Sequence, residues 1–347
     1  MAIFLTSARE PLLVDLALQG GGSHGAFTWG VLDRLLEESW LNIEAISGTS
    51  AGAMNAAVLA YGFSLGGAED ARAALEKFWR DVSEAARFSP LKRTPLDKML
   101  DRWSLDYSPA YVAMDVITRL FSPYDIPFGQ KNPMEDILAQ NIDFARLPQV
   151  PMKLFITATN VRTGRSRVFR NAELSPKVLM ASACLPLMFQ AVEIDGDAYW
   201  DGGFGGNPTM TPLIQECVSD DTILIGINPV ERPGTPRSAR DILNRMNEVS
   251  FNAVLLKELK MIALLRRAAN HVQDDPEAAH WAKMRLHLVR SDLLTDLGAS
   301  SKLNAEWDFL SMLRDEGRRA AEAFLAEKSA NLGQTSTLDI DRLLKDQ

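Results

Sequence analysis

Twice between residues 15 and 59 an apolar run stops at glycines and a helical pattern begins, and this restricts the fold more than any other feature of the chain. "DLALQ" (residues 15–19) reads as a short strand and meets Gly20-Gly21-Gly22. Behind it, Phe27, Val31, Leu32, Leu35 and Leu36 recur at helical spacing from Ser23 to Glu38, with no proline between. "NIEAIS" reads as a second strand broken by Gly48, and Ala51 to Leu59 as a buried helix of small residues. Strand, glycine turn and helix, repeated, is the pattern of an α/β sheet with parallel strands.

Residues 66–150 read as a helical insertion over that sheet. Pro90, Pro95, Pro109, Pro123, Pro127 and Pro133 divide short helical pieces carrying Trp79, Phe88, Trp103, Tyr107, Tyr111, Phe121, Tyr124 and Phe128. These aromatics fit small helices packing on the core, with an acyl-chain pocket as the alternative. The α/β pattern resumes at "MKLFITATNV", with "GRSRVFRN" as its hairpin partner. Ser175 caps a helix with Pro176 at its first position, and Asp195-Gly196 marks a hairpin turn. "TILIGINP" and "RLHLV" read as further strands, and 301–329 as a last long helix. Between Pro236 and Pro276 there is neither glycine nor proline, so one long helix is expected. Residues 13–330 thus form one α/β domain, with 236–330 a C-terminal extension of helices plus a strand and 331–347 a polar, frayed tail.

Composition narrows the function classes. A net charge of −8 over 347 residues argues against broad nucleic-acid binding. Two cysteines, Cys184 and Cys217, make no disulfide framework. The N-terminal stretch lacks a basic region and a long apolar core, and no run approaches a membrane span, so a cytoplasmic protein is expected, with any membrane contact peripheral. Arg237, Arg240, Arg245, Lys257, Lys260, Arg266 and Arg267 lie on or beside the long helix. Core packing or a homodimer contact explains that helix better than a membrane surface does.

The first glycine turn admits two readings. Gly20 to Gly25 fits G-x-G-x-x-G after a strand, the dinucleotide fingerprint. That reading needs a carboxylate at the tip of the second strand, where this chain has Ser47-Gly48-Thr49-Ser50. The other reading is an oxyanion loop, in which backbone N–H groups converge on an anion at a helix N-terminus. Gly48-Thr49-Ser50-Ala51-Gly52 is G-x-S-x-G between strand and helix, the pattern of a nucleophile elbow. The bland alternative is that Ser50 only caps the next helix. A glycine loop and an elbow on adjacent turns share one edge of the sheet, and together favour a nucleophile.

A serine nucleophile needs a base, and the chain has four histidines. His271 and His280 flank a hydrophilic linker, His287 lies inside a strand, and His24 is local to the glycine loop. Asp201, in "WDGG", is the better candidate, because Gly202-Gly203 permit a turn that would hold the carboxylate within reach.

In order, "LALQGGGSHGAF", "GTSAG", "ASACLPLMF" and "DGG" resemble the patatin-like phospholipase family over roughly residues 13–215. The resemblance implies a three-layer α/β/α fold with a mostly parallel central sheet, and a Ser–Asp dyad that uses neither a catalytic histidine nor a metal or other cofactor. It implies Ser50 as nucleophile and Asp201 as general base. Gly20, Gly21, Gly22 and Ala51 would supply the oxyanion hole, with Gly25, Gly48, Gly52, Gly202 and Gly203 supporting the turns. The family usually carries arginine or lysine where this chain has His24. From about Val230 onward nothing matches beyond the family's general variability. The expected activity is that of a serine lipid acyl hydrolase of the phospholipase A type, with lipid or another acyl ester as partner. The alternatives are an esterase or thioesterase on soluble acyl substrates, a non-catalytic lipid-binding scaffold, and a triad hydrolase using His287.

Overall fold

The two strand–turn–helix units lie at the centre of a single sheet. The computed structural model describes residues 9–125, 132–269 and 276–344, so Phe128 and His271 lie outside it. In chain order, β1 (Leu12–Leu18), α1 (Gly25–Leu35), β2 (Leu41–Thr49) and α2 (Ala51–Gly66) come first. The insertion is α3 (Ala68–Ala85), α4 (Pro95–Met99), α5 (Pro109–Leu120) and α6 (Pro133–Asn141). Then follow β3 (Lys153–Asn160), β4 (Ser166–Arg170), α7 (Pro176–Ser182), β5 (Val192–Ile194) and β6 (Asp197–Asp201). α8 (Thr211–Glu216), β7 (Asp221–Ile225), α9 (Ala239–Ala269), α10 (Pro276–Lys283), β8 (Arg285–Val289), α11 (Leu293–Asp296) and α12 (Trp307–Lys328) complete the chain.

The sheet runs β5-β6-β3-β2-β1-β7-β8, with β4 also pairing to β3. From β3 to β8 neighbouring strands are parallel, while β4, β5 and β6 pair antiparallel, so the sheet is mixed and mostly parallel. Strands covered on both faces read as continuous apolar runs, as "LALQ" and "TILI" do. Alternation then sends their side chains to two cores. Leu16, Leu18, Ile46, Ile156 and Ile225 pack with α1, α2 and α12 on one face. Ala17, Ala45, Phe155 and Leu224 pack with α8 and α9 on the other.

The insertion is helical, but its aromatics form no single cluster. Phe78 and Trp79 are buried and meet edge to face, whereas Trp103 stacks on Phe309 of α12. Phe88, Tyr107, Phe121 and Tyr124 are exposed, and α5 buries no residue. The short proline-bounded helices lie at the rim, where they have too little contact area to bury every ring.

α9 buries Leu255, Leu259, Ile262 and Ala263 in the second core. Among the described residues, no helix is long and apolar enough to cross a membrane. Residues 332–340, expected to fray, lie against the edge strand: the N–H groups of Thr337 and Leu338 donate to the Leu286 carbonyl, and Leu332 and Ile340 are buried. Leu332 and Ile340, with Leu338 packed against the second core, anchor an otherwise polar stretch.

Candidate active site

β1 and β2 pair in parallel with Leu18 opposite Gly48, so their C-terminal turns leave the sheet side by side. The two turns interlock. A β-carbon on Gly20 would lie 2.7 Å from Ser50 Cβ, and one on Gly52 would lie 2.3 Å from the Leu18 carbonyl oxygen. Gly21, Gly22, Gly25, Gly48, Gly202 and Gly203 are likewise positions where a β-carbon would come within 3.0 Å of a neighbour. Ser50 itself has φ 54° and ψ −121°, outside the regions that L-residues favour. Such a conformation costs about 1–3 kcal/mol and persists only when its surroundings impose it. Here the Ser50 N–H donates to Ser182 Oγ at 2.9 Å, and Ser182 Oγ donates to the Thr157 carbonyl at 2.7 Å. The Ser50 side chain makes no capping bond to α2, so helix capping is not what its hydroxyl does.

Asp201 arrives from the opposite direction. β6 pairs antiparallel to β3, with Asp201 opposite Ala158, and this carries the carboxyl to the edge where β2 ends. Asp201 Oδ1 accepts the Gly203 N–H at 2.7 Å, and the Ser50 side chain acts on the same carboxyl. Only 1% of Asp201 is exposed. Burial pushes its pKa up from 3.8 to about 7, with the Gly203 N–H, Ser50 and Lys302 pulling the other way. Phe251 of α9 packs on the Asp-Gly-Gly turn, 2.2 Å from where a Gly203 β-carbon would stand.

The glycine loop is held by amides that the sequence reading passed over. Gln19 Oε1 accepts the N–H groups of Ile227 and Asn228 at 2.9 and 3.0 Å. Asn228 Nδ2 donates to the Gly20 carbonyl at 2.7 Å, and the Gly20 N–H donates to Asn207 Oδ1 at 2.6 Å. Gly20, expected among the oxyanion donors, therefore has its N–H engaged: a side-chain oxygen follows closely enough after the Asp-Gly-Gly turn to take it. The N–H groups of Gly21, Gly22 and Ala51 find no acceptor among the described residues, as expected at the first positions of helical turns. The only sequence signals for the amides were Gln next to glycine and the Asn-Pro pairs at 207–208 and 228–229.

His24 is buried, and its Nε2 lies 2.8 Å from Ser301 Oγ. Burial, and then the nearby Lys302 and Arg232, hold its pKa well below the ordinary value, so it is neutral. His287 is fully buried between Asp221 Oδ1 at 3.0 Å and Thr337 Oγ1 at 3.1 Å. Two strands, β1 and β7, separate it from β2. At about 4.8 Å per strand it stands far out of reach of Ser50. His280 pairs with Asp220 at 3.4 Å.

One trio of possible metal donors, Asp15, Glu44 and Cys217, lies within 4.8 Å among the described residues. It sits toward the other end of β1, and the Lys153 ammonium occupies Glu44 at 2.8 Å. A cavity of about 300 Å³ lined by Val14, Leu36, Asn42, Ile43 and Met152 also lies toward that end, away from Ser50.

Comparison with known proteins gives three results. A family model described as patatin-like phospholipase matches residues 16–214, more than half of the chain. The uncharacterized protein R571 of Acanthamoeba polyphaga mimivirus is 24% identical over 202 residues, an alignment that spans 56% of this chain and 59% of the viral protein. Among solved structures, VipD from Legionella pneumophila aligns at 15% identity with a TM-score of 0.35, covering 98% of this chain and 80% of VipD. The heterodimeric ExoU–SpcU complex of the Pseudomonas aeruginosa type III secretion system aligns at 17% identity with a TM-score of 0.32, covering 98% of this chain and 86% of that one.

Proposed function

The chain belongs to the patatin-like phospholipase family, and from that premise we propose that it is a serine lipid acyl hydrolase of the phospholipase A type in which Ser50 is the nucleophile and Asp201 the general base. Family membership implies lipid acyl hydrolysis. The observation that carries the residue assignment is a serine held at a left-handed elbow whose side chain acts on the buried Asp201 carboxyl and pulls its pKa down.

Ser50 Oγ attacks the ester carbonyl carbon, and its proton passes to Asp201. A base with a pKa of about 7 is half available at neutral pH and strong enough to accept that proton. Negative charge collects on the former carbonyl oxygen, where the N–H groups of Gly21, Gly22 and Ala51 receive it. Collapse of the intermediate breaks the bond to the leaving alcohol, which takes the proton from Asp201 and leaves an acyl-serine. Water then attacks the acyl carbon, gives its proton to Asp201, and the fatty acid departs as Ser50 is reprotonated.

The test is fluorophosphonate labelling mapped by mass spectrometry on wild type, Asp201→Asn and His287→Ala. Label is expected on Ser50 in wild type and His287→Ala, with labelling reduced at least 1,000-fold in Asp201→Asn. An unlabelled wild type would overturn the nucleophile assignment. Loss of label in a folded His287→Ala protein would replace the dyad by a triad. Faster turnover of long-chain than of short-chain esters is expected, and the reverse order would favour an esterase on soluble substrates.

A further inference from the structure

Lys302 lies in the part of the chain that the family model does not reach, yet it packs on the glycine loop. A β-carbon on Gly22, which has φ +59°, would stand 2.4 Å from the Lys302 carbonyl oxygen and 3.4 Å from Lys302 Cβ. Lys302 Nζ donates to Asn228 Oδ1 at 2.7 Å, and Asn228 in turn donates to the Gly20 carbonyl at 2.7 Å. One residue earlier, Ser301 bonds His24. The short helical turn Ala299–Leu303 is thus clamped to the loop along its length.

We propose that Lys302 is a charged positioning residue of this active site, holding the glycine loop through Asn228 and supplying the positive charge that balances whichever anion the reaction places beside it. The proposal rests on the reading of Ser50 and Asp201 given above.

The charges facing Lys302 come from four segments. They are Glu248 of α9, Arg232 ahead of α9 and Asp201 at the end of β6, with neutral His24 beside them in the loop. Glu248 acts on Lys302 but is shared with Arg232 at 2.6 Å and Arg245 at 3.2 Å. Among the described residues Asp201 has no such second partner, and Lys302 is the cation that acts on it. In the resting state the anion is the Asp201 carboxylate. When Asp201 takes the serine proton it becomes neutral, and the negative charge reappears on the oxyanion. One fixed cation that acts on Asp201 and is held against the glycine loop serves each state without reorganising. A neutral donor could hold Asn228 equally well, so the desolvation cost of a half-buried ammonium is explained by its charge.

Burial lowers the pKa of Lys302 to about 8, with Glu248 and Asp201 pulling it up and Arg232 pushing it down. The test is the pH profile of kcat/KM on a short-chain ester for wild type, Lys302→Met and Lys302→Arg, with Ser50 labelling measured in parallel. Wild type is expected to gain activity through about pH 7 and lose it through about pH 8. Lys302→Met should lower the maximum on the order of 100-fold, abolish the alkaline limb and move the acid limb upward, because Asp201 loses a nearby cation. Lys302→Arg, which keeps its charge, should hold activity above pH 9. A purely structural lysine would leave the alkaline limb unmoved in Lys302→Arg, and that result overturns the proposal even if Lys302→Met does not fold. Label on Ser50 with an unmoved limb sinks only the role of Lys302. Absence of label from wild-type Ser50 sinks the parent reading as well.

Discussion

Asp201 shows how a single buried carboxyl links stability to reactivity. Its pKa of about 7 stands above the ordinary 3.8, so between those values the folded protein holds a proton that the unfolded chain releases. Stability is therefore greatest below about pH 4 in this respect and declines as pH rises to about 7. Above that the full cost applies, on the order of 4 kcal/mol. Asp201→Asn keeps an acceptor for the Gly203 N–H and removes the charge. It should melt higher than wild type at pH 8, with the difference shrinking toward pH 5, while losing esterase activity. Scanning calorimetry at the two pH values checks this, and an equal or lower melting point at pH 8 would refute it. Ser50 and Asp201 stood out as candidates because glycines bracket the one and follow the other. Lys302, Asn207 and Asn228 were not: each contacts the glycine loop across more than 180 residues of chain, and no local spacing encodes such a contact.

At the scale of elements, the crossing of α1 and α12 is set by two missing side chains. A β-carbon on Gly317 would lie 2.1 Å from the Phe27 carbonyl oxygen, and one on Gly30 would lie 1.9 Å from the Arg314 carbonyl oxygen. The helices meet backbone to backbone, so Gly317→Ala must push them apart and disturb Phe309, Leu310 and Leu313 in the core. A loss of roughly 1–3 kcal/mol is expected by denaturant titration, and an unchanged midpoint would mean that the crossing is slack. Local patterns reported the elements themselves well. "RLHLV" is β8 end to end, and Asp195-Gly196 is a two-residue hairpin with both φ positive, at 54° and 84°. The long proline-free stretch is α9, Ala239–Ala269. Local patterns did not show that the insertion's aromatics would scatter, because that depends on how much neighbouring surface each short helix finds.

For the whole molecule, the unexpected feature is how the chain returns to its own edge. β8 closes one side of the sheet, and residues 336–338 cover it through Ser336 Oγ, Thr337 and Leu338. An uncovered edge strand invites pairing with another chain. Deleting residues 332–347 would expose that edge and remove Leu332 and Ile340, each worth roughly 1.5–3 kcal/mol of burial. The truncated protein should melt lower and self-associate, as measured by calorimetry and light scattering. A monomer with an unchanged melting point would show the segment to be dispensable. Composition hid this contact, since scattered apolar residues among polar ones resemble a disordered end.

The loop Gly20–Gly22 is tied to Asn207, Asn228 and Lys302, residues spread over nearly a hundred positions of later sequence. A chain emerging from a ribosome would present all four motifs, and Asn207 just behind them, well before Lys302 exists to complete the ties. The glycine loop is in this sense born unbraced, and is fully held only when Lys302, in the last quarter of the chain, comes home to the first.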